Sequence, residues 1–313
     1  MYHFIVNIHG GSGKSFLLWN KIKELLKERG VEFETYVPLR VGHAGEIAKK
    51  IVSLDDDDKK IVILGGDGTL NEVLNGIPEE KMGSVKLGLI PTGSGNDFSR
   101  GLGLPRHNPE KALDLILNSK GDRKIDLGII ESSDENALFK RKIFAISSGF
   151  GLDAIVGTSI NTSKIKVVLN RIKLGKLSYA ILTVKTLFSM RTQNVKIRFD
   201  GGETEEFKKL IFLAAMNGYA EGGGVPMNPD ARMDDGKLSV CAVSGVPKWL
   251  TFLMFPFLCL GKHKKFKSFV LRDFETMEIE SDAPSVSHTD GELFGNIRSA
   301  RYSVWKNAVS MLV

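Results

Sequence analysis

The chain has 313 residues, 42% hydrophobic and 26% charged, with a formal net charge of +6. That balance gives an ordinary globular protein with room for two domains and a sizeable core. It excludes a low-complexity chain, and no apolar run approaches the ~20 residues a membrane-spanning helix needs. The charge is uneven: no acid lies between Asp153 and Asp200, where Lys and Arg residues run from Lys164 to Arg198, and none lies between Asp235 and Asp273. A basic surface in the C-terminal half follows; no nucleic-acid partner is read from it. The start, Met1-Tyr2-His3-Phe4, carries no basic leader, and Cys241 and Cys259 sit in apolar surroundings. Both features point to a reducing cytoplasm.

Tyr2–Ile8 reads as a short strand running into Asn7-Ile8-His9-Gly10-Gly11-Ser12-Gly13-Lys14. Leu17, Leu18, Ile22, Leu25 and Leu26 then form a helical stripe closed by Gly30. Gly13-Lys14-Ser15 suggests a P-loop, but that spacing requires glycine where Ile8 stands, so a generic strand-to-helix phosphate turn is expected. Val31–Val37 is a second strand, Ala44–Leu54 a second helix, and Asp55–Asp58 a solvated turn.

Ile61–Leu64 is a third strand that runs straight into Gly65-Gly66-Asp67-Gly68-Thr69, followed by a helix bearing Leu70, Val73, Leu74 and Ile77. Glycines let a backbone approach a ligand closely, and free N–H groups at a helix start suit a phosphate. Asp67 beside a phosphate calls for an intervening cation such as Mg²⁺; the plainer reading is a helix N-cap. Val85–Ile90 is a fourth strand leading into Pro91-Thr92-Gly93-Ser94-Gly95-Asn96-Asp97-Phe98, and Pro109–Leu117 is helical. Strands alternating with helices predict βαβ units and a mostly parallel sheet, with ligands beyond the carboxyl ends of the strands. Three glycine-rich turns on three strands should therefore converge on one crevice.

From about Lys124 short strands dominate, interrupted by helical segments around Leu177–Phe188 and Trp249–Leu260. This predicts an antiparallel second domain. The division expected is 1–125 and 126–295, with 296–313 a candidate for completing the first domain. Pro247–Leu258 is apolar nearly all round and is followed by Lys262, Lys264, Lys265 and Lys267. It is too short to span a bilayer. Either it is buried against the second domain, or it lies at an anionic membrane interface, where each lysine contributes about 1 kcal/mol. Lys164–Lys176 is a second candidate for lipid contact, with a solvated helix face as its alternative.

The motifs together resemble the diacylglycerol kinase catalytic family, which includes bacterial lipid kinases and sphingosine kinases. The resemblance rests on Gly65 to Glu72, Pro91 to Phe98, Asn217-Gly218 with Gly222-Gly223-Gly224, Pro229-Asp230-Ala231, Asp234-Asp235-Gly236 and Asp290-Gly291-Glu292, in the family's order over nearly the whole chain. It implies a Rossmann-like, NAD kinase/diacylglycerol kinase-like N-terminal α/β domain and a C-terminal antiparallel β-sandwich domain, with ATP between them. It also implies phosphorylation of a lipid hydroxyl. By the same resemblance Asn7, Gly10, Gly11, Ser12, Gly13, Lys14, Gly66, Asp67, Gly68, Thr69, Leu70, Asn71, Glu72, Ser94, Asn96 and Asp97 hold ATP or its metal. Asp67 then handles the phosphates through Mg²⁺, Glu292 is the general base, and Asp235 with the backbones of Arg232 and Lys237 forms a structural Mg²⁺ site.

Two departures stand out: Ile8 replaces the family's proline after Asn7, and Pro38 stands where a nucleotide-contacting threonine is usual, so that contact is not carried over. The implied setting is a cytoplasmic enzyme, peripheral on the anionic inner face of a membrane; a homodimer is left open. The rival readings are an NAD kinase-like small-molecule kinase, which shares Gly-Gly-Asp-Gly-Thr, and a non-catalytic lipid-binding regulatory protein of the same fold. The Gly-Ser-Gly-Asn-Asp turn and the basic, apolar C-terminal half favour a lipid over a dinucleotide.

Overall fold

The computed structural model describes residues 1–8, 14–54, 59–162 and 183–313, with the backbone alone for Lys14 and residues 159–162. The chain divides into two compact units. The first comprises Met1–Leu127, Met233–Gly236 and Trp305–Val313; the second comprises Gly128–Arg232 and Lys237–Val304. The chain therefore returns to the first unit twice, at 233–236 and at 305–313, while the strand-like 299–304 stays in the second.

In the first unit, strands β1 (Tyr2–Val6), β2 (Phe33–Tyr36), β3 (Lys59–Gly65) and β4 (Val85–Pro91) pair in parallel in the order β2-β1-β3-β4. The last residues of β14 (Glu292–Met311) add a parallel edge, Ser310 and Met311 pairing with Lys86 and Leu87 of β4. Successive side chains of a strand point to opposite faces. On one face Phe4, Val6, Val62, Leu64 and Ile90 meet Trp19, Ile22 and Leu26 of α1 (Lys14–Glu28) and Ala112, Leu113 and Ile116 of α6 (Pro109–Asn118). Residues of opposite parity, such as Ile5, Ile61 and Ile63, are equally buried, which is why these strands read as unbroken apolar runs.

Helices α2 (His43–Val52) and α3 (Asp67–Gly76) pack on β1 and β3 and against each other. They approach so closely that a Cβ on Gly76 would lie 2.2 Å from the Gly45 carbonyl oxygen. The short helices α4 (Glu79–Met82) and α5 (Asp97–Gly101) complete the unit.

The two returning segments are held by one buried acid. Asp126 donates its N–H to the Met233 carbonyl at 2.7 Å. Its carboxylate accepts from Gly236 N–H at 2.6 Å and Asn307 N–H at 2.7 Å.

The second unit is the antiparallel β-sandwich. It contains the 128–131 end of β5 (Arg123–Glu131), then β6 (Arg141–Phe144), β7 (Ser147–Gly151), β8 (Gln193–Phe199), β9 (Thr204–Leu210), β10 (Phe212–Met216), β11 (Leu238–Val243), β12 (Phe269–Phe274), β13 (Thr276–Thr289) and the start of β14. One layer runs β12-β11-β10-β7-β13. The first half of β13 pairs instead with β8, which pairs with β9. A register slip between Glu280 and Ser285 lets β13 serve both partners, as bulges commonly allow a strand to change sheets.

The layers enclose Phe144, Phe150, Ile197, Leu213, Phe274, Phe294 and Tyr302. Burial pushes the Tyr302 phenol up to about 12. A second core lies beneath α7 (Leu152–Thr162), the helical residues 183–189 and α8 (Lys248–Cys259). At the edge of the sandwich burial would raise the Asp134 carboxyl, but the backbone N–H groups of Ser299 and Arg298 outweigh it and hold the group below the usual carboxylate range. Among the described residues no helix is long and apolar enough to cross a membrane.

Candidate active site

Three turns at the carboxyl ends of adjacent parallel strands are bonded together in the first unit. Asn7, just after β1, donates from Nδ2 to Thr69 Oγ1 at 2.9 Å, and its N–H reaches the Leu64 carbonyl at 2.9 Å. The β3 and β4 turns lie back to back: Thr92 N–H donates to the Gly65 carbonyl at 2.9 Å, and a Cβ on Gly93 would stand 2.8 Å from the Gly66 Cα. Asp67 bridges the same turns, its Oδ2 accepting from Asp97 N–H at 3.0 Å and its Oδ1 from Phe98 N–H at 3.2 Å. The carboxylate thus caps α5, the helix of the neighbouring turn, a role that the N-cap reading had given to α3. Asn96 takes the left-handed conformation, φ 50°, and donates from Nδ2 to the Gly93 carbonyl at 2.8 Å. Asp97 is buried, and its carboxylate accepts from Arg100 Nε at 3.1 Å. Ser94 is exposed at the turn.

The helix after the β3 turn sorts its residues by direction. Leu70 and Asn71 are buried in the unit, and Glu72 Oε2 accepts from Ala44 N–H at 3.2 Å, so this carboxylate caps α2. The side chains of Leu70, Asn71 and Glu72 thus brace the turn and the helix beside it. Gly68 is different. A Cβ there would meet nothing within 4 Å, its φ is not in the left-handed region, and it lies in the first turn of α3, exposed. Among the described residues nothing demands glycine at this position, and close approach of a ligand is a physical reason for it. Gly68→Ala should therefore leave the melting temperature unchanged or raised, since alanine is favoured in a helix by about 1 kcal/mol, while ATP binding falls at least tenfold in calorimetric titration. Unchanged ATP affinity would remove the β3 turn from the phosphate site.

Gly10, Gly11, Ser12, Gly13 and the side chain of Lys14 lie outside the described residues, as do Asp55–Asp58 and Lys164–Lys176. Asp235 lies in the first unit, exposed, next to Asp234, which faces Arg123 Nη2 at 3.5 Å; Arg232 and Lys237 belong to the second unit.

In the second unit Glu292 opens β14 directly after a two-residue hairpin loop. Asp290 and Gly291 both have positive φ, 48° and 84°, and Thr289 pairs with Glu292. This is the Asp-Gly geometry that suits a tight hairpin between twisted strands. Asp290 is a brace: its Oδ2 accepts from Ala145 N–H at 2.8 Å, and its Oδ1 from Ile146 and Ser147 N–H at 2.8 and 3.0 Å. The same corner is held from its carbonyl side by Asn217, whose Nδ2 donates to the Ala145 carbonyl at 2.9 Å. Glu292 itself is exposed.

One cluster has no counterpart in the sequence reading. His288 is buried, with Nε2 2.8 Å from Asp153 Oδ2, and its Nδ1 accepts from Gly291 N–H at 3.1 Å. The Gly291 donor fixes the tautomer: Nδ1 accepts and Nε2 donates. Glu221 completes the group, one ligand-type atom from each side chain lying within 4.8 Å of the others. Burial would raise the Asp153 carboxyl, but His288 and the neighbouring Glu221 side chain hold it below its ordinary value. Nearby, burial together with the Glu221 and Asp153 charges pushes the Cys241 thiol well up, an inert core thiol. Asp153 and Glu221 also face a cavity of about 60 Å³ whose walls are apolar, including Val156, Leu187, Phe212 and Phe255.

A parallel α/β unit with bonded glycine turns at its strand ends, followed by an antiparallel sandwich, is the fold class of the diacylglycerol and NAD kinases. The comparisons agree. The diacylglycerol kinase catalytic domain model matches residues 1–130, and the YegS C-terminal NAD kinase beta sandwich-like domain model matches residues 146–313. The chain belongs to the diacylglycerol kinase family. The diacylglycerol kinase of Staphylococcus carnosus is 29% identical over 87% of this chain and 82% of its own length. A crystal structure of a "putative diacylglycerol kinase" from Bacillus anthracis superposes with a TM-score of 0.76 at 25% identity, covering 99% of this chain and 96% of that one. An NAD kinase of Archaeoglobus fulgidus in complex with ATP shares the fold alone, with a TM-score of 0.51 at 15% identity over 97% of this chain and 90% of that one.

Proposed function

We propose that the protein transfers the γ-phosphate of ATP, with Mg²⁺, to a hydroxyl of diacylglycerol or a related lipid. The observation that carries this reading is the bonding of the β1, β3 and β4 turns through Asn7–Thr69 and through Asp67 to Asp97 and Phe98. Phosphoryl transfer needs donors and a metal to neutralise the triphosphate and a carboxylate to take the hydroxyl proton. The β3 turn fits the phosphates because Gly68 opens space that a Cβ would fill. Asp67 fits Mg²⁺ as a carboxylate held at the meeting of the β3 and β4 turns, a hard oxygen donor that could reach the ion directly or through a bound water. The bound metal would supply charge neutralisation on the phosphate oxygens. Asn96 and Asp97 set the β4 turn, and Ser94 offers a hydroxyl to the nucleotide. Glu292 would accept the acceptor's proton. Asp235, with the backbones of Arg232 and Lys237, would hold a second, structural Mg²⁺.

The test is purified protein with Mg²⁺ and labelled ATP against a fractionated lipid extract and, separately, NAD. Label moving to a chloroform-soluble product is expected. Label on NAD alone would establish the small-molecule kinase reading, and no transfer with intact ATP binding would favour a regulatory protein of the same fold.

A further inference from the structure

Helix α8 has two faces. Thr251, Met254 and Leu258 are buried on the second core of the sandwich unit, so the burial reading of this segment accounts for one side. On the other side Trp249, Phe252, Leu253, Phe257 and Leu260 are exposed, with Trp249 at 58%, Leu253 at 54% and Leu260 at 67%. Steps of three and four residues put them in one stripe. The patch continues onto the neighbouring helical residues 183–189, where the exposed Phe188 ring lies 6.5 Å from that of Phe252. Single exposed apolar side chains are ordinary; a contiguous set of large ones marks an interaction surface.

The turn that follows is basic and firmly held. His263 is buried, its Nε2 2.9 Å from the Met227 carbonyl and its ring 4.8 Å from that of Phe269. Burial holds its basicity below the ordinary value, so it acts as a neutral anchor. Phe266 packs edge-on against Phe257 at 5.1 Å and ties the turn to the stripe. Lys264 pairs with Asp230, while Lys262, Lys265 and Lys267 are exposed beside the apolar side chains. No acid occurs from Gly236 to Arg272.

We infer that α8 and the Lys262–Lys267 turn form the face by which the protein lies on an anionic lipid bilayer. Trp249, Leu253 and Leu260 enter the acyl boundary, and the lysines meet the head groups. An apolar stripe rimmed by charge of one sign is the pattern of an interfacial helix. A second copy docked symmetrically through this face would bring the lysines together, which argues against a self-interface. The inner side of the same helix, through Phe255 and Thr251, walls the cavity that Asp153 and Glu221 line, so the docked face adjoins an apolar site. The inference takes its purpose from the lipid-acceptor reading, but its test contains no nucleotide and reads the surface alone.

The test is binding of the full chain to vesicles of phosphatidylcholine with and without phosphatidylglycerol, followed by tryptophan fluorescence with brominated acyl chains as quencher. Binding that requires phosphatidylglycerol and quenches the tryptophan signal is expected, with the quenching lost in Trp249→Phe. Leu253→Glu should weaken partitioning at least tenfold. Joint Lys262→Gln, Lys265→Gln and Lys267→Gln should weaken it by about two orders of magnitude at low salt. Both variants should keep the circular dichroism spectrum and melting temperature of the parent. No binding of the parent chain to anionic vesicles, binding unchanged in both variants, or quenching that persists in Trp249→Phe would overturn the assignment. A failure of phosphoryl transfer to any lipid would appear instead in the labelling assay.

Discussion

Glu292→Gln is expected to lower turnover by about two to four orders of magnitude, the range a positioned general base contributes. ATP affinity and the folded state should stay as in the parent. The amide keeps the size of the side chain and loses only the capacity to take a proton. The fold does not depend on that carboxylate: Glu292 is exposed, and among the described residues its side chain makes no hydrogen bond or ion pair, its place being set by main-chain pairing with Thr289. Single-turnover transfer measured beside calorimetric ATP titration separates the two effects. Turnover within about threefold of the parent would show that another group accepts the proton. A loss of ATP affinity parallel to the loss of rate would give Glu292 a binding role instead.

The contrast between Glu292 and its neighbours shows what the sequence could and could not convey. The glycine turns were legible because glycine and carboxylate in that order have few other uses at the end of a parallel strand. Inside α3 the chain order does not show side-chain direction. Leu70, Asn71 and Glu72 follow the turn in the chain, yet helix geometry buries the first two and aims the third at the α2 N-terminus. Contacts between distant residues left no local trace. Asp126 holds amides 110 and 181 residues away, and His288 meets Asp153 across 135 residues. Strand β9 shows little pattern, since Thr204–Leu210 buries only Phe207 and Leu210 among charged neighbours. In β13 the alternation breaks at Asp282 to Pro284, where the register slips. The sequence placed the return to the first unit too early. The stretch 299–304 alternates like any sandwich strand, and the departure comes where the main chain turns to a positive φ of 51° at Asn307 and Asp126 takes its N–H.

Asp290→Ala is expected to destabilise the second unit by about 3 kcal/mol or more, the cost of removing a charged acceptor from several buried donors. Ala145, Ile146 and Ser147 are all buried, and the Asp290 carboxylate takes all three of their N–H groups. Alanine would leave these donors unpaired and would also be strained at the φ of 48° that Asp290 adopts. A second variant separates the two costs: Asp290→Asn keeps a side chain that tolerates the left-handed conformation and one acceptor oxygen, so it should lose roughly half as much. A chain of two compact units need not unfold in one step, so a melting temperature alone is a blunt readout. Amide hydrogen exchange at Ala145, Ile146 and Ser147 reads the brace directly. Exchange there should accelerate by about two orders of magnitude or more in the alanine variant, while amides of β1 and β3 in the first unit keep their protection. Turnover should fall as well, because the loop that Asp290 anchors carries Glu292 two residues later. Unchanged protection at the three amides would show that the Asp290 carboxylate does not hold this corner.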